Sequence, residues 1–246
     1  MEHSILLAHN HHFLMRSKRS FGRKRRVARR KVRVRKTVRR KSRRMPITGF
    51  PASKIIKLKY VETFVLDPAT TAVAASYIFR ATDISDPNYS GVGHQPLAHD
   101  TWAAIYQSYD VIKSTCKFTY TNRAPQGAVE GQYVMWAKTH PNTAYSTVVD
   151  TVMEQPGLNK KMLTSSQERS QSLRISYRKK TRYGSSSTDT RAGFGSSPSE
   201  QTYFILGCQS LYTTLEAPTG NPPPIFVMAE IVYTVKVDSQ KAFAQS

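Results

Sequence analysis

Across 246 residues the chain has only two cysteines, Cys116 and Cys208. A small secreted domain stapled by disulfides needs them more densely. Both lie in apolar, strand-like runs (VIKSTCKFTY and TYFILGCQSLY) with no neighbouring Cys or His at metal-ligand spacing. They read as buried thiols of a reducing compartment, with a single bridge between them as the alternative. Long hydrophobic runs are also missing: no stretch approaches the roughly 20 apolar residues that span a bilayer. ILLAHNHHFLM near the start is too short and too polar for a signal peptide. Membrane insertion is therefore not expected, and nothing points to secretion.

Acidic residues are absent where they would matter most. From Arg16 to Arg44 there is no Asp or Glu, and 18 of the 29 residues are Lys or Arg. Residues 45–246 carry 19 basic and 15 acidic side chains, a net of only +4 out of the +21 for the whole chain. The charge is an arm rather than a surface. So basic and aromatic-poor a segment cannot bury enough apolar area to offset its ordering entropy, so disorder is expected until a polyanion neutralises it. The candidate contacts are Arg16, Lys18, Arg19, Arg23, Lys24, Arg25, Arg26, Arg29, Arg30, Lys31, Arg33, Arg35, Lys36, Arg39, Arg40, Lys41, Arg43 and Arg44. Arginine outnumbers lysine, which suits bidentate phosphate contact, and side chains that read base edges are almost lacking. Binding to nucleic acid should be strong, salt-sensitive and indifferent to sequence. A membrane-active helix would need an apolar face that Phe21 and scattered Val do not supply. A nuclear localisation signal fits within RKRR or RRKVRVRK, making host nuclear import receptors an expected partner.

Four segments follow from composition. Residues 1–15 form an extension with His9, His11 and His12, read as a disordered tail because no Cys or carboxylate completes a metal site; Met15 is an alternative start. Residues 16–44 are the arm, and 45–52 (MPITGFPA) a hinge with two prolines and a glycine. Residues 53–246 are the folded domain, rich in Val, Ile, Thr, Tyr and Phe, with Pro and Gly clustered between the apolar runs. Eight strands are predicted: Lys54–Leu66, Ala74–Ala81, Tyr109–Asn122, Gln132–Thr139, Leu158–Thr164, Ser172–Tyr183, Thr202–Thr213 and Ile225–Val237. In the last, Val227, Ala229, Ile231, Tyr233 and Val235 share one face. Two short helices are expected, His99–Gln107 capped by Asp100 and Ser146–Glu154 capped by Ser146. The Ser- and Gly-rich stretch Gly184–Glu200 reads as an exposed mobile loop. An all-β sandwich results.

Within the body, Arg178, Lys179, Lys180 and Arg182 end a strand, close to Arg174. They are candidate phosphate contacts, or a charged edge that deters strand pairing. His94, His99 and Asp100 invite a hydrolase or metal reading. Adjacent residues diverge on a helix, however, and no nucleophile or second ligand pair is in reach, so no catalytic residue, metal or cofactor is expected and the chain is not read as an enzyme. Asn88-Tyr89-Ser90 matches a glycosylation sequon without a secretory route, and Gly91-Val92-Gly93 is too short for a phosphate fingerprint. Tyr89, Trp102 and Tyr106 offer the aromatic area that anchors interfaces, with ordinary core as the alternative for Trp102.

The arginine-rich amino terminus, GFPASKIIKLKYVETFVLDP and DPNYSGVGHQPLAHDTWAAIYQSYDVIKS together resemble the capsid proteins of circovirus-like, Rep-encoding circular single-stranded DNA viruses. The resemblance runs from the arm to about Ser114. It implies a single eight-stranded jelly roll, two four-stranded antiparallel sheets in B-I-D-G and C-H-E-F order, assembling as a small icosahedral shell of about sixty subunits with the disordered basic arm inside. The implied setting is the virion, and the host nucleus during assembly. The implied partners are copies of the same chain and a single-stranded DNA genome, with RNA possible. Charge agrees independently: about sixty subunits at +21 bring roughly 1,260 positive charges, the scale of a very small genome. Connections 83–100, 140–157, 184–200 and 216–224 are expected to carry subunit contacts and the outer surface. The competing reading is a monomeric nucleic-acid-binding protein of ribosomal or chromatin type.

Overall fold

The structure, a computed structural model, describes residues 49–68, 74–122, 132–146, 148–164, 170–211 and 223–242. The arm, the residues before it, the start of the hinge and most of connection 216–224 lie outside the described residues. In chain order the elements are β1 (Ser53–Leu66), β2 (Ala75–Arg80), α1 (His99–Ile105), β3 (Tyr106–Asn122), β4 (Gln132–His140), α2 (Val149–Met153), β5 (Asn159–Thr164), β6 (Ser170–Arg178), α3 (Lys179–Arg182), β7 (Arg191–Gly193), β8 (Tyr203–Ser210) and β9 (Ile225–Gln240).

Two antiparallel sheets result, one ordered β1-β9-β3-β6 and the other β2-β8-β4-β5. Lettering the eight long strands B to I gives B-I-D-G and C-H-E-F, the jelly roll that the resemblance implies. The short β7 pairs with β3 beyond the end of β6 and makes the first sheet five-stranded. Alternation sets the register. In β9, Val227, Ala229, Ile231, Tyr233 and Val235 are all fully buried, and they lie opposite the inward residues of β1 and β3 (Tyr60↔Ile231↔Cys116). A bulge between Val111 and Lys113 shifts the β3–β9 register once, which increases local twist.

The core between the sheets is aromatic, with Tyr60, Phe79, Phe118, Tyr120, Tyr133, Phe204 and Tyr233 fully buried. Cys116 in β3 and Cys208 in β8 sit in opposite sheets as buried free thiols. Burial pushes the Cys208 thiol up to about 12 and that of Cys116 well above its ordinary range.

Several boundaries depart from the sequence reading. The third strand begins at Tyr106 rather than Tyr109, and the preceding helix stops at Ile105, because Tyr106 is already extended (φ −119°, ψ 152°). Asp100 is not the cap: the helix is entered through Ala98 in the left-handed region (φ 67°), with no side-chain cap. Ser146 does not cap α2 either; its hydroxyl accepts from the N–H of Val148, the N-cap residue two positions on. The strand expected to reach Tyr183 ends at Arg178, where the chain turns into α3. Gly184–Glu200 is not simply an exposed loop. Thr190 and Ala192 are buried, β7 pairs with β3, and the Ser197 hydroxyl donates to buried Asp83 at 2.5 Å.

Gly207 in β8 shows how tightly the second sheet is built. A Cβ there would stand 2.4 Å from the Trp136 ring on the neighbouring strand and 2.8 Å from the Ala75 carbonyl oxygen. The indole lies flat over a position that only glycine leaves open. Gly207→Ala should lower unfolding stability by about 1–3 kcal/mol, measured by denaturant titration, whereas Gly157→Ala, at a left-handed turn with open space around it, tests backbone strain without overpacking.

Candidate nucleic-acid interface

The two outer faces of the sandwich differ. On the β2-β8-β4-β5 sheet, fully buried Trp136 and Ile205 are covered by Val152 and partly buried Tyr145, Met153 and Leu158. On the other sheet the outward positions stay open, and lysines and arginines stand among threonines, serines and exposed apolar residues such as Ile55 and Val65. Antiparallel register lines them up in rows: Lys57, Thr234, Lys113 and Arg178 lie side by side across β1, β9, β3 and β6, and four residues further along Val61, Glu230, Lys117 and Arg174 form a parallel row. Lys59 stands between the rows on β1. Glu230 is the carboxylate within the second row. It accepts from Lys59 Nζ at 2.8 Å, with Lys117 Nζ at 3.9 Å. The Lys59 hydrogen bond, and the charges of Lys59, Lys117 and Arg174, hold its carboxyl below the usual range.

Sequence reasoning missed Lys57, Lys59, Lys113 and Lys117, although their alternation with buried Ile56, Leu58, Ser114 and Cys116 places them on the outward face. Of the basic run at the end of β6, Arg178, Lys180 and Arg182 are exposed. Lys179 is not: it is buried, ion-paired with Asp110, and that carboxylate also accepts from Thr190 Oγ1 at 3.0 Å. Lys179 therefore pins α3 and the start of β7 to β3, and it leaves the set of surface phosphate contacts. β6 is also the edge of its sheet, so the charged-edge reading of this run stands beside the phosphate one.

Tyr89 is 43% exposed, with its ring edge-on to Tyr203 and Arg80 stacked 5.2 Å away. Trp102 is half-buried and carries the Lys54 ammonium 4.9 Å from its ring centre. Tyr106 is fully buried, its hydroxyl donating to the Pro51 carbonyl at 2.9 Å, so it is core and not interface. The loop exposes Val92 and Leu97 instead, at 83% and 85%. Asn88 is completely buried, and its Nδ2 donates to Glu62 Oε1 at 2.8 Å and to the Tyr77 hydroxyl at 2.7 Å, so no glycan can be attached to the folded chain there. His99 and Asp100 do not diverge as expected. His99 Nδ1 and Asp100 Oδ1 are 2.9 Å apart, the ring buried against Phe194 and the carboxylate exposed.

His94 ties this loop to β1. Its ring lies 4.6 Å from that of Tyr60, with Nδ1 2.8 Å from the Gln95 carbonyl and Nε2 3.0 Å from the Val61 carbonyl. Carbonyl oxygens only accept, so both contacts are hydrogen bonds only in the imidazolium. Those two carbonyls, with Glu62 adding, raise its pKa above the ordinary value against the opposing effect of burial. Both bonds are therefore made below about 6.5, and one of the two is lost as pH rises through the raised value. Protection of the 89–97 amides, measured relative to their intrinsic base-catalysed exchange, should fall across that window, and His94→Phe should remove that fall. Lys179→Ala should cost about 3–5 kcal/mol by stranding Asp110, while Lys180→Ala stays within about 0.5 kcal/mol; thermal denaturation of the two variants separates them.

No protein-family model matches the chain, and no curated protein matches it. Solved structures do resemble it. One of Desmodium yellow mottle tymovirus is 13% identical with the whole of both chains covered, at a TM-score of 0.42. The decameric BFDV capsid protein is 13% identical over 76% of this chain and 99% of that one, at 0.40. Mud crab tombus-like virus is 9% identical over 78% and 92%, at 0.45. Likenesses this distant fix neither fold nor role; the jelly roll stands on its own strand order and register.

Proposed function

We propose that the chain is a viral coat subunit that self-associates through its jelly roll into a small icosahedral shell and packages a single-stranded DNA genome, by sequence-independent electrostatic binding, through Arg16–Arg44. The observation that carries this reading is the pairing of two features in one chain: a B-I-D-G/C-H-E-F sandwich, and an arm with 18 basic and no acidic residues just before its first strand. The sequence resemblance to circovirus-like capsid proteins supports it. A rigid β-domain supplies lateral contacts, for which Tyr89, Trp102, Val92 and Leu97 are the candidate anchors. The arm supplies counterions for the polynucleotide. Host import receptors reading RKRR or RRKVRVRK would deliver the protein to the nucleus for assembly.

Size and salt test the proposal together. After nuclease treatment a coat protein remains a megadalton particle by light scattering, whereas a monomeric binding module runs as a 27.8 kDa chain. Free protein should bind unrelated single-stranded oligonucleotides with similar affinity. If the arm contacts about six to ten phosphates, that affinity should fall by about two to four orders of magnitude between roughly 50 and 200 mM salt. Deleting residues 16–44 should keep the β-domain folded and remove the DNA. A shallow salt slope with strong sequence preference would overturn the packaging role.

A further inference from the structure

The two sheets leave a seam where their edges meet, β6 on one side and β4–β5 on the other. Three hydrogen bonds stitch it in order along β6: Lys161 Nζ to Gln171 Oε1 at 3.2 Å, Asn159 Nδ2 to the Arg174 carbonyl at 2.8 Å, and Thr139 Oγ1 to the Ser176 carbonyl at 3.4 Å. Two pockets open in series along this seam. The first, about 320 Å³, is lined by Arg178, Arg182, Thr139, Ser176, Thr181 and Tyr177. The second, about 400 Å³, is lined by Arg174, Lys160, Lys161, Asn159 and Ser172, with Leu158 and Leu173 forming its apolar part.

Neither lining contains an acidic residue. Among the described residues none of Arg174, Arg178, Arg182, Lys160 and Lys161 has an ion-pair partner within 4 Å, whereas the buried Lys179 beside them does. Guanidinium and ammonium groups ringed by hydroxyl and amide donors make up the donor set that recognises phosphate oxygens. Tyr177, which borders the first pocket, is itself core, 2% exposed on the inward side of β6 with Leu173 and Ile175.

We infer that the β5–β6 seam is a second nucleic-acid site, a track that holds the phosphodiester backbone of a single strand by seating phosphates in its two pockets. Arg174 and Arg178 are four residues apart on one strand, about 13 Å, so the two pockets follow one another along a single line. Half-buried Leu158 borders the second pocket and gives a base or sugar an apolar surface. The track rests on the proposed packaging of nucleic acid, but it is built from the folded domain and not from the arm. It continues the basic rows of the open sheet face, which end in Arg174 and Arg178, into shallow pockets where several donors converge.

The full-length protein carrying Arg174→Gln, Arg178→Gln and Arg182→Gln tests it, with the corresponding triple Lys variant as a charge-retaining control. Circular dichroism and thermal melting confirm that both fold. Against oligothymidylate containing 4-thiothymidine, the Gln variant should flatten the slope of log affinity on log salt by about 2, three lost contacts at roughly 0.7 each, and the Lys variant should keep it. Photocrosslinks on the wild-type chain should map to peptides spanning 158–161 or 172–182 as well as to the arm. An unchanged slope with crosslinks confined to residues 16–44 overturns the seam and leaves the packaging role intact. If the Gln variant loses binding of a heparin-derived oligosaccharide while its oligothymidylate slope is unchanged, the seam serves a sulfated glycan and the inference fails. Wild-type protein that shows no salt-dependent oligonucleotide binding overturns both readings.

Discussion

The packing of this domain depends on the acceptors that most of the tyrosines between its sheets find. The Tyr233 hydroxyl in β9 donates across the core to the Arg80 carbonyl in β2 at 2.7 Å, and that of Tyr120 in β3 donates to the Trp136 carbonyl in β4 at 3.1 Å. Tyr109 reaches the Asp83 carboxylate at 2.8 Å, and Tyr133 the Pro223 carbonyl at 2.7 Å. Burial drives the phenols of Tyr120 and Tyr233 well above their ordinary pKa, so they remain donors. A buried hydroxyl deprived of its acceptor costs about 1–3 kcal/mol. Sliding one sheet past the other by a residue would strand several at once, so the hydroxyls fix how the sheets face each other as firmly as the apolar packing does.

With the interior so committed, charge is sorted to the outside, and unevenly. The Trp136 cluster covers the outer face of one sheet, leaving the face of β1, β9, β3 and β6 as the broad open one. Period-two alternation then puts lysines and arginines on it in aligned rows, and Glu230 is drawn into their midst. The buried charges do structural work. Asp110 holds Lys179 and Thr190, and Asp83 collects Tyr109, Ser85 and Ser197, so the 184–200 segment is tied down from beneath at both ends.

Much of this was legible from the amino-acid sequence because the long strands alternate cleanly. KIIKLKYVETFVL and IFVMAEIVYTVKV state their faces without help from tertiary structure, and all eight long strands lie where their patterns put them. Other features depend on partners far along the chain. β7 is three residues, Arg-Ala-Gly, with no pattern of its own, and exists because β3 is longer than β6 and leaves backbone groups to pair. The inward turn of Lys179 follows from Asp110, 69 residues away, and Tyr106 is buried because β3 starts three residues earlier than its apolar run suggests. The seam pockets combine Thr139, residues 158–161 and residues 172–182, which only the meeting of two sheet edges brings together.

The placement of the two thiols has a consequence for life outside a cell. Cys116 and Cys208 are sealed in opposite sheets, and burial keeps both in the unreactive protonated form at any pH the protein meets. A folded subunit entering an oxidising environment therefore presents no thiol for oxidation or for cross-linking to its neighbours. Any assembly formed through the folded surface of this chain would then involve no disulfide, and taking it apart would call for no reductant.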